Sequence, residues 1–248
     1  AENGAEAVLD TTLDDALRAQ RIVKSEEEIR KICDAQAITD ATFEHILPYI
    51  REGVTEREIA LEIEFYMRKL GADGNAFDPI VVTGGNGSQC HGIPGDTVIK
   101  KGDFITMDTG AMLRGYHSDM TRTVALGYVS DEQKAVYDTV LKAQLAAIDA
   151  VHAGVCCSDV DKVARDIIET PYPGTFGHGL GHGVGFEIHE WPRFSARDNT
   201  ICEPGMVITV EPGIYIAGKC GVRIEDMIVV TEDGCRNLTH SPKALMIL

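Results

Sequence analysis

The chain has 248 residues, 44% hydrophobic and 25% charged, with 39 acidic against 23 basic side chains and a formal net charge of −16. Such a chain can bury a substantial core in one large domain or two small ones. The acidic balance argues against a nucleic-acid or anionic-membrane surface, and no apolar run approaches the roughly 18 residues of a membrane span.

The N-terminus, Ala1-Glu-Asn-Gly-Ala-Glu6, lacks a signal-peptide core. Seven cysteines are an odd number without framework spacing, which points to reduced thiols in a cytoplasmic protein. Residues 1–24 carry only a weak helical pattern and no core of their own. They read as a lead-in, the remnant of a linker from an N-terminal domain that the chain lacks. Residues 25–248 read as a single domain.

Ser25-Glu-Glu-Glu28 is a capping-box pattern, predicting a helix to about Leu47 that buries Ile29, Ile32, Ala35 and Ile38. Thr55-Glu-Arg-Glu58 starts a second helix, which ends near Gly71. Strand-like runs follow at Ile80–Thr83, Phe104–Met107 and Met120–Ala125. Ser130-Asp-Glu-Gln133 then caps a helix reaching about Val151, and Ser158-Asp-Val-Asp161 opens a shorter one. A Gly/His-rich segment and a last hairpin complete the chain.

The order of elements repeats. Gly102-Asp-Phe-Ile-Thr-Met-Asp108-Thr-Gly110 aligns with Gly205-Met-Val-Ile-Thr-Val-Glu211-Pro-Gly213. The turn Glu52-Gly53-Val54 likewise matches Ala153-Gly154-Val155. Two helix-pair-plus-hairpin halves sharing one sheet make an α+β architecture. A second acid follows in each half, Asp119 and Glu225. Asp108 and Asp119 are symmetric about Leu113-Arg114, and Glu211 and Glu225 about Gly218, so hairpins would put each pair cross-strand, about 4.5–5.5 Å apart at Cβ. Four converging carboxylates need a cation, and alone they favour hard ions such as Ca²⁺, Mg²⁺ or Mn²⁺.

The run Gly177-His178-Gly-Leu-Gly-His182-Gly-Val-Gly-Phe-Glu-Ile-His189 adds imidazoles. Alternating glycines exclude a zinc-binding helix, and the run lacks the strand–helix frame of a dinucleotide loop. It fits an extended track aiming imidazoles into a pocket.

Asp108 with Asp119 eleven residues on, the histidine run, Thr-Val-Glu211-Pro-Gly and Val-Arg-Ile-Glu225 together resemble the pita-bread metallopeptidases. Within them they are most similar to the Xaa-Pro branch of proline dipeptidase and aminopeptidase P. The resemblance covers about residues 20–245. It implies two pseudo-symmetric halves sharing one curved antiparallel sheet and two divalent ions, Mn²⁺ favoured over Co²⁺, Zn²⁺ or Fe²⁺.

By that resemblance Asp108 ligates one ion, Asp119 and Glu225 bridge, and His182 and Glu211 complete the second. Glu211 is also the general base for a bridging water made nucleophilic at neutral pH. His91 and His189 are catalytic and substrate-side imidazoles, and His178 and Arg223 bind substrate with them, His178 lining the pocket and Arg223 supporting a metal ligand or contacting a carboxylate. The implied activity is removal of the N-terminal residue before proline in dipeptides or short peptides, with a homodimer left open. Cys90-His91-Gly-Ile-Pro94 instead resembles methionine aminopeptidase, the alternative activity, and a non-catalytic peptide-binding module is a third reading. The His182-to-His189 spacing favours the proline branch.

Overall fold

The computed structural model describes residues 10–248, and its helices begin where side chains stand in for missing backbone partners. Ser25, Thr55 and Ser130 each accept from the backbone N–H three residues on, while Glu28, Glu58 and Gln133 reach back to the cap N–H. These reciprocal bonds satisfy two orphan donors at each start. After α1 (Thr12–Ile22), the boxes open α2 (Glu26–Ile46), α3 (Glu56–Lys69) and α4 (Asp131–Asp149).

The last helix, α5 (Cys157–Glu169), does not start at the expected Ser158. Its N-cap is Cys156, which makes no side-chain cap bond. The start is set by chain pairing instead: Cys156 bridges Ile201, and Cys157 N donates to Thr200 O. The first half makes the same bonds, with Thr55 bridging Val98 and Glu56 N donating to Thr97 O. Gly53 and Gly154 likewise donate to Ile99 O and Cys202 O. The repeat read from the sequence is thus a repeat of backbone hydrogen bonding.

The first half supplies β1 (Gly74–Asn75), β2 (Ile80–Thr83), β3 (Phe104–Thr109), β4 (Ala111–Leu113), β5 (Tyr116–His117) and β6 (Met120–Ala125). The second supplies β7 (Gly181–Gly183), β8 (Glu190–Phe194), β9 (Val207–Val210), β10 (Gly213–Ile216), β11 (Cys220–Arg223), β12 (Asp226–Val230) and β13 (Cys235–Asn237). The curved antiparallel surface is built from two main ladders, β2–β3–β6 and β13–β12–β9–β7–β8. They meet where Glu225 N donates to Thr121 O at 3.1 Å. The small arms β1–β4–β5 and β10–β11 extend from them.

Val140 of α4 and Val160, Ala164 and Ile168 of α5 are buried with Ile208, Val210 and Ile228 of the second ladder. Ile59, Ile63 and Met67 of α3 are buried with Val81, Ile105 and Val124 of the first. Ile29 and Ile32 of α2 reach across to Val184, Val207 and Met227, tying the halves together. All seven cysteines are free thiols.

One register differs from expectation. Asp108 pairs with Thr121, and Thr109 with Met120, so Asp119 lies diagonal to Asp108. The turn is Arg114-Gly115, both at positive φ (52° and 80°), one position beyond Leu113-Arg114. A two-residue turn with both centres left-handed matches strand twist, and Gly115 permits it where Leu113 would be strained. In the second half Val210 pairs with Asp226 and Gly213 with Arg223, which sets Glu211 opposite Glu225 about Gly218, as expected.

The lead-in is also more engaged than its sequence implies. Lys24 Nζ lies 2.9 Å from Glu190 Oε2, both side chains under 5% exposed, and Arg21 bonds Glu187. The Arg18 guanidinium stacks 3.7 Å from the Trp191 ring, so that tryptophan stands half exposed beneath α1 rather than in the core. Removing one partner of a buried pair leaves an uncompensated charge, so Lys24→Met should lower unfolding free energy by about 3–5 kcal/mol. Urea titration checks this. Lys24→Met with Glu190→Gln should recover part of the loss, because glutamine keeps an acceptor for Glu187 N.

Candidate metal centre

The side chains that converge do so because two strand pairs end beside one another. Asp108 lies next to the end of β3, Asp119 precedes β6, Glu211 follows β9 and Glu225 precedes β12. His182 is the middle residue of β7, paired next to β9. Glycines at 181 and 183 let it approach so closely: a Cβ at 181 would strike Thr209 O, and one at 183 would strike Trp191 O.

His182 Nε2 lies 3.4 Å from Asp119 Oδ2 and 3.5 Å from Glu211 Oε1. Its Nδ1 is 3.0 Å from Gly183 O, which assigns the proton to Nδ1 and turns the Nε2 lone pair toward the carboxylates. One donor atom from each of Asp119, His182 and Glu225 falls within 4.8 Å of the others. Asp108 Oδ1 is buried with no hydrogen-bond partner among the described residues.

The electrostatics fit a missing positive charge. Burial first, then repulsion from Asp108, holds the Asp119 carboxyl well above its ordinary range. Burial and repulsion from Asp119, Glu211 and Asp108 do the same to Glu225, and burial pushes Glu211 up to about 7. Without a cation these groups cannot all ionise together. A divalent ion among oxygen donors and one imidazole removes that conflict, so the donor set fits the group the sequence calls for.

Among the described residues, Arg223 is the arginine committed to the cluster. Its Nη2 donates to Asp108 Oδ2 at 2.6 Å, Nε to Thr121 Oγ1 at 3.0 Å, and Nη1 to Cys90 O and the Tyr215 hydroxyl. Thr121 in turn donates to Glu225 Oε2 at 2.6 Å, and Thr209 donates to Glu211 Oε1 at 3.1 Å. Arg223 lines the cavity with these donors engaged, one of them on Asp108.

His91, His178 and His189 line the same cavity of about 440 Å³. His91 sits exposed on the loop after β2, while His189 lies just before β8 with its ring centroid 4.4 Å from that of His182. Burial, with the nearby His182 and Arg193, draws His189 down to about 4, leaving it neutral at pH 7. His178 has both nitrogens occupied, Nδ1 by Gly179 O and Nε2 by the Tyr215 hydroxyl. Neither ring nitrogen is then free for a ligand.

Phe77, Ile80 and Arg193 also line the cavity and were not singled out from the sequence. Arg193 stands across the ladder from His182, and its guanidinium has no carboxylate partner among the described residues. Its place on β8, before the second hairpin, carries no sequence signal beyond following His189. Phe77 and Ile80 look like ordinary strand residues until the cavity is seen.

Comparison with known proteins bears on this site. The profile of metallopeptidase family M24 matches residues 30–232. The chain is 48% identical to "Uncharacterized peptidase YqhT" of Bacillus subtilis over 229 residues, 92% of this chain and 65% of that protein. It superposes on the structure of Xaa-Pro dipeptidase from Bacillus anthracis with a TM-score of 0.92 and 48% identity, covering 94% of this chain and 66% of that one. The structure of X-Pro aminopeptidase from Thermotoga maritima gives 0.93 and 44%, covering 95% and 67%. The chain therefore spans about two-thirds of the length of the relatives it matches.

A cation that binds only the folded state raises stability, by about 2.7 kcal/mol at 100 times its Kd. Chelator-treated protein should accordingly melt higher on adding Mn²⁺, and Glu225→Ala should lose most of that increment. An equal rise in both proteins, measured by calorimetry, would remove Glu225 from the cation site.

Proposed function

The chain belongs to metallopeptidase family M24, in its Xaa-Pro branch, and from that membership we propose that it hydrolyses the N-terminal X-Pro bond of dipeptides or short peptides. The observation that carries the reading is the convergence of Asp108, Asp119, His182, Glu211 and Glu225 in one cavity of about 440 Å³. Two divalent ions would be held there, one by Asp108, the second by His182 and Glu211, with Asp119 and Glu225 shared. Oxygen-rich ligation favours Mn²⁺. Bound ions would supply Lewis acidity and lower the pKa of a water to near neutrality.

The chain's own groups do the rest. Glu211 takes the proton from the attacking water and passes it toward the leaving nitrogen. The neutral His189 and the rim imidazole of His91 donate hydrogen bonds to the oxygen that gains charge at the scissile carbonyl. An X-Pro bond is a tertiary amide without an N–H, so a site that does not require that hydrogen can seat it. Phe77 and Ile80 offer the apolar wall for the ring, and Arg193 offers its guanidinium to a substrate carboxylate.

Two experiments test the reading. Glu211→Gln should reduce kcat about 10²–10⁴-fold, the usual size of a general-base contribution, with a normal melting curve. Turnover within a few-fold of the parent would deny Glu211 that role. A panel of Ala-Pro, Met-Pro, Met-Ala-Ser and Ala-Ala with added Mn²⁺ should show cleavage before proline only. Removal of Met from Met-Ala-Ser, with both proline substrates intact, would favour the methionine aminopeptidase alternative that Cys90-His91-Gly92-Ile93-Pro94 suggests.

A further inference from the structure

The glycine track that carries His178 and His182 has little means of holding its own shape. Between Thr175 and Gly181 the chain belongs to no strand, and Gly177 and Gly179 alternate with Phe176, His178 and Leu180. Glycine in such a stretch has the most conformational freedom to lose, so the ordering must come from outside.

It comes from one face of α5. Asp161, fully buried, accepts from Leu180 N at 3.0 Å through Oδ1. Arg165, one turn on, grips both oxygens of Asp161 through Nε and Nη2 at 2.8 and 2.9 Å. The same guanidinium donates to Phe176 O at 2.9 Å and His178 O at 2.8 Å, and lies 4.4 Å from the Phe176 ring centroid. The Phe176 ring meets His178 edge-on at 4.9 Å. Three alternate residues of the track, Phe176, His178 and Leu180, are thereby fixed to a single rigid helix through two carbonyls and one amide. Leu180 O then receives Glu211 N at 2.8 Å, so the clamp ends against the cluster itself.

We propose that Asp161 and Arg165 form a positioning pair that sets the substrate wall at His178, a role that rests on the peptidase reading above. Neither side chain lines the cavity. They act through the track, by fixing where the His178 ring stands. His182 and Glu211 have their own anchor in Thr209, which accepts from His182 N and donates to Glu211. The pair therefore governs substrate binding more than turnover. Only a guanidinium suits the site, because its planar fork serves a bidentate carboxylate and two carbonyls at once.

The test uses the Mn²⁺-loaded protein, assayed well below its melting temperature. A displacement of about 1 Å far from the chemistry can cost as much as 100-fold, so Arg165→Ala should lower kcat/KM on Ala-Pro roughly 10–100-fold, mainly through KM. Arg165→Lys should recover little, and Asp161→Asn, which keeps an acceptor for Leu180 N, should fall between it and the parent. Hydrogen exchange at the amides of residues 176–182 should accelerate in all three, with bound Mn²⁺ unchanged. Should Arg165→Ala fail to fold, the lysine and asparagine variants carry the same comparison. A lowered melting temperature with KM and the exchange of this segment unchanged would make the pair merely structural and overturn the proposal. If the parent cleaves no X-Pro peptide, the peptidase reading fails, and the exchange measurement still decides whether the clamp exists.

Discussion

Asp108, Asp119, Glu211 and Glu225 are packed against one another at the meeting of two ladders, with Asp119 and Glu225 under 5% exposed. Like charges held this close and dry oppose folding unless a countercharge is supplied, and much of the surrounding structure answers that demand. Arg223 provides one fixed positive charge and spends it on Asp108. Thr121 and Thr209 provide hydroxyl donors to Glu225 and Glu211. His182 turns Nδ1 to Gly183 O and its Nε2 toward Asp119 and Glu211, where that nitrogen can serve as a ligand. What remains is a set of oxygen donors with an excess of negative charge, which suits divalent ions and no ordinary side chain.

The backbone beneath the cluster is pinned by a separate charged group facing the other way. Asp226, next to Glu225, is fully buried and receives Arg122 at 2.7 Å, Lys243 at 2.6 Å, Gln144 and Asn237. Arg122 also donates to the carbonyls of Glu225, Ser241 and Pro242. Here the burial of a carboxylate is fully compensated, and its pKa falls below the ordinary value despite burial, under the pull of Arg122 and Lys243. Adjacent acids at the start of β12 thus have opposite fates. Asp226 is saturated and structural, whereas Glu225 is left with capacity to bind. The difference lies in which face of the strand each side chain takes.

Much of this was legible in the sequence because it depends on local rules. Capping boxes at Ser25, Thr55 and Ser130 are self-contained, and each formed where the pattern stood. The internal repeat fixed which acids correspond, and symmetry about Gly218 gave the Glu211–Glu225 pairing in register. Symmetry failed by one residue in the first half because turn type overrides counting: Arg114-Gly115 can take positive φ at both positions, and the register follows the turn. The start of α5 was misplaced because Ser158 looks like a cap, while pairing of Cys156 with Ile201 decides the matter from 45 residues away. Arg193, Phe77 and the Lys24–Glu190 pair were invisible for the same reason, since each gains its meaning from a distant partner.

The two halves make the same backbone bonds yet contribute differently. In the first, Glu56 opens α3 and its carboxylate binds Thr83 N, Asn86 Nδ2 and Gly95 N, holding both ends of the loop that carries His91. In the second, Cys157 takes the equivalent place at the start of α5 and has no such reach. The task of securing the loop passes down the helix to Asp161 and Arg165, which hold the track carrying His178. Each half therefore uses a buried acid on its second helix to order a glycine-rich segment that delivers an imidazole to the cavity. The glycines allow the close approach and the helix removes the freedom they bring, so site and scaffold cannot be separated at these positions.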